Sequence, residues 1–354
     1  MTLEDLGYRI GLEHYRKENN LISFGIGRVI SEHKERYVVK TDEGEYEGEV
    51  IGNLRYRAND RSEFPAVGDW VAISAYDEGK VLIHAVYPRK GVLERTAVGK
   101  FGEKQIIATN IDAALIIQAL DRDFNLKRME RYLTICRNAG VTPMVVLNKT
   151  DLITREAVEE AVKQVKKGLK GVRVMAVSNI SGDGYEELLK NLRKGQTYCL
   201  LGSSGVGKST LINRLSGQSN IKTGSISQHT QKGRHVTSHR HLFMLDNGAL
   251  MIDNPGMREV GIADATDGIE AVFSDIERLS QECRYTTCTH VHEAGCAVLQ
   301  ALEDGEISRS SYENYLKMLK EKAHFESSLM DKKRREKNIG KILKDYKKFK
   351  RRNE

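Results

Sequence analysis

The sequence predicts a multidomain α/β protein: a small N-terminal β-barrel, then a phosphate-binding α/β domain, then a helical segment closed around a metal ion. Three observations predict it. Short β-type runs broken by glycines fill residues 21–95; strands and helices alternate over 105–262, with a G-x-x-x-x-G-K-[ST] loop among them; and cysteines cluster after residue 280. A chain of 354 residues exceeds one domain of ordinary size. Apolar content of 40% and charged content of 30% suit a soluble globular protein, and no apolar run reaches the roughly 18 residues of a membrane span. The N-terminus, Met-Thr-Leu-Glu-Asp-Leu-Gly, lacks the basic-then-apolar layout of a secretory signal, so a cytoplasmic protein with no membrane partner is expected. Five cysteines, few and odd in number, argue for metal rather than a disulfide framework.

Taken in order, residues 1–20 carry Leu3, Leu6, Ile10 and Tyr15 near helical spacing and predict a short N-terminal helix. Five β-type runs follow, over 22–30, 36–40, 46–51, 69–75 and 80–87. So many short strands in so little chain fit an OB-type barrel. Arg55, Tyr56, Arg57 and Arg61 share one predicted loop; contact with nucleic acid and solvation of a plain scaffold explain them equally well. Residues 89–104 read as a polar, glycine-containing linker. Beyond it, strands at 111–119, 143–147 and 172–177 alternate with helices at 126–139, 155–167 and 185–192. The run 197–201 feeds the glycine-rich loop, and 241–245 and 249–253 supply two more strands. Such a doubly wound domain takes its ligands at the carboxyl ends of its strands.

The loop Gly202-Ser203-Ser204-Gly205-Val206-Gly207-Lys208-Ser209-Thr210 lies between an apolar strand and a run, Leu211, Ile212 and Leu215, at helical spacing. That context separates a phosphate-binding loop from a chance match. Its backbone N–H groups and the following helix dipole would cradle phosphates, Lys208 would reach the β and γ groups, and Ser209 would ligate Mg2+. At the end of an earlier strand stands Asn148-Lys149-Thr150-Asp151. A carboxylate at Asp151 can accept from both N1–H and the 2-amino group of guanine, which adenine cannot match. Lys149 would lie along the base plane, Asn148 would brace the loop, and Ser178, ending the next strand, would support the base from its other side. Asp253-Asn254-Pro255-Gly256 closes the last strand, where Asp253 would hold Mg2+ through water and the Gly256 amide would meet the γ phosphate. The segment 221–239 is rich in Gly, Ser, Thr and His. Thr237, or else Thr230, could complete the metal shell, and Thr237 lies nearer the strand that would position it. Met257 stands where many GTPases carry a water-orienting Gln, so slow intrinsic hydrolysis is expected. The base reader precedes the phosphate loop in the chain, the reverse of an ordinary GTPase, so the domain reads as circularly permuted.

Cys283-x4-Cys288-x-His290-x5-Cys296 offers three thiolates and one imidazole, the ligand set of a closed structural zinc site. His292 rivals His290, and spacing alone does not choose between them. Cys136 and Cys199 fall in a predicted helix and strand and read as small core residues. Helices are predicted over 297–302 and 312–330. Residues 331–354 then hold twelve Lys or Arg against four Asp or Glu, a local +8 within a chain of net +7. Such a run is either a solvated helical face or an arm for nucleic-acid phosphates.

Three motifs together, Gly-Ser-Ser-Gly-Val-Gly-Lys-Ser at 202–209, Lys232-Gly-Arg-His-Val-Thr237 and the cysteine cluster, resemble the circularly permuted ribosome small subunit-dependent GTPase A family, RsgA or YjeQ. Asn254 and Val236 depart from residues usual there, though neither removes a phosphate or metal ligand. The resemblance spans nearly the whole chain and divides it into a helix at 1–20, an OB-fold barrel at 21–95, a permuted GTPase domain at 105–262, a zinc-bearing helical domain at 263–330 and a basic arm at 331–354. It implies GTP hydrolysis to GDP stimulated by the small (30S) ribosomal subunit during late maturation, contact with 16S rRNA, a monomer, Mg2+ and one structural Zn2+. It also assigns His290 rather than His292 to the metal and makes His235 catalytic; taken alone, a histidine beside His229, His239 and His241 reads as a surface residue or an RNA contact. Two other classes fit parts of the pattern. A P-loop kinase is opposed by Asp151 and the Asp253–Gly256 turn, and an RNA-binding module with a vestigial nucleotide site would fail to bind GTP.

Overall fold

The structure, a computed structural model, describes residues 1–33, 36–58, 61–96, 104–121, 124–217, 240–253 and 266–323. It divides into two compact units, one of residues 1–94 with 106–260, the other of residues 95–105 with 261–354.

The first unit begins with α1 (Ile10–Glu18) and a barrel of β1 (Gly25–His33), β2 (Arg36–Lys40), β3 (Glu45–Val50), β4 (Trp70–Asp77) and β5 (Lys80–Val86), with α2 (Gly52–Arg57) between β3 and β4. Strand order β1-β2-β3-β5-β4 closes by pairing β4 with β1, and only β3 and β5 run parallel. Its interior is filled by Val29, Tyr37, Val39, Val71, Val81 and Ile83. Two glycines make that closure possible: a Cβ on Gly27 would sit 2.2 Å from Val39, and one on Gly48 would sit 2.9 Å from it. One end is sealed by Leu6, Ile26, Trp70 and Tyr87, with Leu3, Tyr8 and Tyr15 of the N-terminal segment packed on them. The fully buried Arg28 ties three segments together through the carbonyls of Leu6 at 2.6 Å, Gly68 at 3.1 Å and Asn110 at 3.3 Å.

The α/β part follows a two-stranded ribbon, β6 (Leu93–Thr96) with β7 (Lys104–Ala108), in a region that reads as a linker. Strands this short carry too little alternation to be seen in sequence. Then come β8 (Ala113–Ala119), α3 (Leu126–Asn138), β9 (Thr142–Asn148), α4 (Arg155–Gly168), β10 (Arg173–Ala176), α5 (Tyr185–Asn191), β11 (Thr197–Leu201), α6 (Lys208–Leu215), β12 (His241–Met244) and β13 (Leu250–Asp253). The order is β10-β9-β8-β11-β13-β12, all parallel except β12. Strand β11 lies at the centre; strands preceding it in the chain lie to one side and those following it to the other. This is the permuted arrangement the motif order predicts. β12 also pairs with β1 at Ser31 and His241, so barrel and α/β sheet are continuous. Leu115, Ile117, Val146, Leu200 and Met251 form the core under α5 and α6. Cys136 and Cys199 lie wholly buried, and burial pushes both thiols up.

The second unit contains α7 (Thr266–Val272), α8 (Ser274–Ser280), α9 (Ala297–Glu303) and a further helix, α10, over 309–323. Ile269, Phe273, Ile276, Leu279, Val298, Tyr315 and Met318 make its core. No helix among the described residues is long and apolar enough to cross a membrane.

Candidate nucleotide and metal sites

The carboxyl ends of β8, β9, β10, β11 and β13 bring the predicted nucleotide residues to one end of the sheet. Between β11 and α6 the loop turns on Gly202, Gly205 and Gly207, with φ of 150°, 81° and 95°. Gly202 passes so close to β8 that a Cβ there would meet the Ile117 carbonyl at 2.5 Å. Val206 is buried, while Ser204, Gly205, Ser209 and Thr210 face solvent. Lys208 donates to the carbonyls of Gly202 at 2.7 Å and Ser203 at 2.5 Å, which holds its charge across the loop.

The reader segment meets this loop directly. Asn148 is fully buried, and its Nδ2 donates to the Val206 carbonyl at 2.7 Å. Lys149 adopts a left-handed φ of 64°, and its Nζ donates to Asp121 at 2.7 Å. Asp151 is exposed, and its Oδ1 accepts from the Ser178 hydroxyl at 2.5 Å. Ser178 in turn accepts from the N–H groups of Ile180 and Ser181 at 3.1 and 3.0 Å, which fixes the hydroxyl so that it donates to the carboxylate. A carboxylate held this way keeps its other acceptor positions for a ligand. Asp253, ending β13, is half-buried; burial raises its pKa and the nearby Lys208 opposes the rise. A divalent cation would favour the ionised form of this carboxylate. His235, Thr237, Gly256, Thr230 and Met257 lie outside the described residues, as does the basic run 331–354.

Two contacts were not legible in the sequence. Asp121, just beyond β8, partners Lys149; its place at a strand's carboxyl end was the available signal. Arg128, in the first turn of α3, donates to Ser203 Oγ at 2.8 Å from 75 residues away, and nothing local marks it. Arg55 and Tyr56 prove to lie on α2 rather than in a loop, since a six-residue helix shows no readable period; Tyr56 is 92% exposed.

In the second unit, ligand atoms of Cys283, Cys288, His290 and Cys296 all lie within 4.8 Å of one another. Cys283 and Cys296 sulfurs are 3.8 Å apart, and each is 3.5 Å from His290 Nδ1. A tetrahedral ion with bonds of about 2.3 Å to sulfur and about 2.0 Å to nitrogen requires edges of roughly 3.8 and 3.5 Å. The edges among Cys283, Cys296 and His290 are therefore already at zinc dimensions, and Cys288 lies within 4.8 Å of each. His290, not His292, joins the cysteines, with a left-handed φ of 60° and its carbonyl bonded by the Tyr312 hydroxyl at 2.6 Å. Burial acts to raise the Cys283 thiol, but the N–H groups of Val298 and Ala297 at the start of α9 outweigh it and hold the thiol below its ordinary range.

Comparison with known proteins agrees with this geometry. Residues 86–263 match the family described as RsgA GTPase. A protein of Listeria monocytogenes, small ribosomal subunit biogenesis GTPase RsgA 2, is 40% identical over 92% of this chain and 90% of its own length. One of Lactiplantibacillus plantarum bearing the same name is 43% identical over 87% of this chain and 85% of its own. Among solved structures, YjeQ from Thermotoga maritima is similar at 25% identity with a TM-score of 0.60, covering 86% of this chain and 98% of that one. YloQ, a circularly permuted GTPase, has a TM-score of 0.61 at 23% identity, covering 85% of this chain and 95% of that one. On the matched segment and the identity over nearly its whole length, the chain belongs to the RsgA GTPase family and is a GTP-hydrolysing enzyme.

Proposed function

We propose that this enzyme binds the small ribosomal subunit and hydrolyses GTP late in that particle's maturation, and that the subunit stimulates hydrolysis. The observation that carries the reading is the junction of two loops: Asp151, steadied by Ser178, and the phosphate cradle 202–210 are joined through Asn148. A pocket built this way ties a guanine-accepting carboxylate to a phosphate site at fixed separation. The names of the relatives in Listeria and Lactiplantibacillus support the ribosomal partner.

In this reading Asp151 accepts from the guanine N1–H and 2-amino groups, Lys149 flanks the base, and Asn148 and Ser178 hold both in place. Backbone N–H groups of Ser203 to Ser209 bind the phosphates, with Lys208 turning from its own loop carbonyls to the β and γ oxygens. Ser209, Thr237 and Asp253 would hold Mg2+, which would supply positive charge against that developing on the phosphates. The Gly256 amide would sense the γ phosphate. His235 would orient the attacking water, a task Met257 cannot perform. One Zn2+ held by Cys283, Cys288, His290 and Cys296, with no open position, would brace the helical unit and do no chemistry. The barrel, this unit and the arm 331–354 would contact 16S rRNA, the arm by releasing condensed counterions. A cytoplasmic monomer is the form expected to act.

The test is steady-state GTP turnover with and without purified small subunits. Stimulation by small but not large subunits is the expected result. An equal rate in both would reject the ribosomal part of the proposal while leaving the GTPase assignment intact.

A further inference from the structure

The loop that supports Asp151 is clamped to the helix that follows the phosphate cradle. Asn179, next to Ser178, is bonded on three sides. Its Nδ2 donates to the Gly207 carbonyl at 3.0 Å, its Oδ1 accepts from the Tyr185 hydroxyl at 3.0 Å, and its main-chain carbonyl accepts from Arg214 Nη1 at 2.7 Å. The Arg214 guanidinium lies over the Tyr185 ring, 4.4 Å from its centroid. Gly182, at φ 90°, leaves room for that guanidinium: a Cβ would sit 2.3 Å from Arg214 Nη2. Tyr185 begins α5 and is buried against the sheet core, so the ring beneath Arg214 is a fixed platform.

We infer that Asn179, Tyr185 and Arg214 are positioning residues that set guanine selectivity, which deepens the reading of Asp151 as the base acceptor and rests on it. The chain of contact is short. Ser178 holds the Asp151 carboxylate at 2.5 Å, Asn179 adjoins Ser178, and Asn179 is pinned to Gly207 and to α6. Any slack in residues 178–184 therefore moves the carboxylate relative to the phosphate cradle. A nucleotide has a nearly fixed span from base to phosphate. Bidentate acceptance from guanine needs Asp151 within about 0.5 Å of its best position once the phosphates are seated. The reader loop has its own tie through Asn148 to Val206. The clamp supplies the second tie, through Asn179 to Gly207 and α6, and Arg214 acts in it through the Asn179 carbonyl.

The experiment compares GDP and IDP affinity for the full-length protein and four variants, Asn179→Ala, Arg214→Met, Arg214→Lys and Tyr185→Phe, with Tm measured in parallel. IDP lacks the 2-amino group, so the GDP-to-IDP ratio isolates one of the two hydrogen bonds to Asp151. Wild type is expected to prefer GDP by roughly ten- to a hundredfold, the worth of a hydrogen bond to a charged acceptor. In Arg214→Met and Asn179→Ala, GDP affinity should fall about tenfold, IDP affinity less, and the ratio should shrink to a few-fold. Arg214→Lys, which keeps a donor for the Asn179 carbonyl, should recover part of the ratio. Tyr185→Phe removes a single oxygen and should give an intermediate loss; it decides the matter if Arg214→Met does not fold. A lowered Tm with the wild-type ratio in Asn179→Ala, Arg214→Met and Tyr185→Phe would overturn the inference, because a purely structural clamp moves only Tm. Wild type showing no preference for GDP over IDP would instead overturn the reading of Asp151 beneath it.

Discussion

Replacing Gly207 by alanine tests whether the base and phosphate halves of the site are built as one piece. Gly207 has φ 95°, where an L side chain is strained by about 1–2 kcal/mol. Its new Cβ would lie 2.3 Å from Asn148 Nδ2 and 2.9 Å from Asn179 Nδ2. Neither amide can step back freely. Asn148 is fully buried and bonded to the Val206 carbonyl, and Asn179 is bonded to the Gly207 carbonyl itself. Losing both bonds adds roughly 1 kcal/mol each, so the substitution should cost about 3 kcal/mol. For a unit of this size that is a Tm loss of about 6–12 °C in the nucleotide-free protein. The same displacement should weaken GDP binding on the order of a hundredfold. Gly205→Ala is the internal control: φ is 81°, but no heavy atom lies within 4 Å of its Cβ, so strain acts alone and the nucleotide-free Tm should fall roughly half as far. Differential scanning fluorimetry and calorimetric GDP titration read both quantities. Equal Tm losses for the two variants, or a Gly207→Ala protein with wild-type GDP affinity, would refute the idea that Asn148 and Asn179 join the loops.

Other outcomes follow from the same geometry. Stripping metal with a strong thiol-compatible chelator should unfold the helical unit alone, seen as a loss of helical circular dichroism with GDP affinity unchanged; Cys283→Ser should do likewise, and retained helicity would count against a structural ion. Burial depresses the pKa of His84, whose Nε2 is 2.7 Å from Ser74 Oγ. His84 therefore takes up a proton less readily when folded than in the unfolded chain, which titrates near pH 6.5, so its contribution to stability is complete above that pH and is lost as pH falls from there toward the lower folded-state value. Tm in low salt should therefore decline below pH 6.5, and His84→Gln should flatten the decline. His235→Ala should slow single-turnover hydrolysis on small subunits by roughly 10²- to 10⁴-fold with GTP affinity retained, and an unchanged rate would remove His235 from the chemistry.

How much of this was legible in the sequence depended on whether the physics was local. The phosphate loop announced itself because a backbone curled around anions needs residues free to take positive φ, and Gly205 and Gly207 both do. Asn148 and Asp151 stood out by ending an apolar strand. The cysteine ring was visible from spacing, but the choice between His290 and His292 was not; it depends on a left-handed turn at His290 and on the hydroxyl of Tyr312, 22 residues on. Barrel closure left traces at Gly27 and Gly48, where Val39 fills the interior. What escaped was set by distant chain. Arg128 finds Ser203, and Arg214 finds Asn179, across 75 and 35 residues. Neither arginine differs in local sequence from a solvated one. The ribbon β6–β7 and helix α2 escaped because each spans too few repeats of its period to show a pattern.

The central claim is that one acidic side chain sorts purines beside a phosphate cradle, and Asp151→Asn tests it most directly. Titration of wild type and variant with GDP, ADP and XDP should show wild type binding GDP at least a hundredfold tighter than ADP. The variant should lose GDP and gain XDP, because an amide N–H now donates to the 2-oxo group of xanthine. Wild type that binds ADP as tightly as GDP, or a variant whose preference is unmoved, would contradict the account.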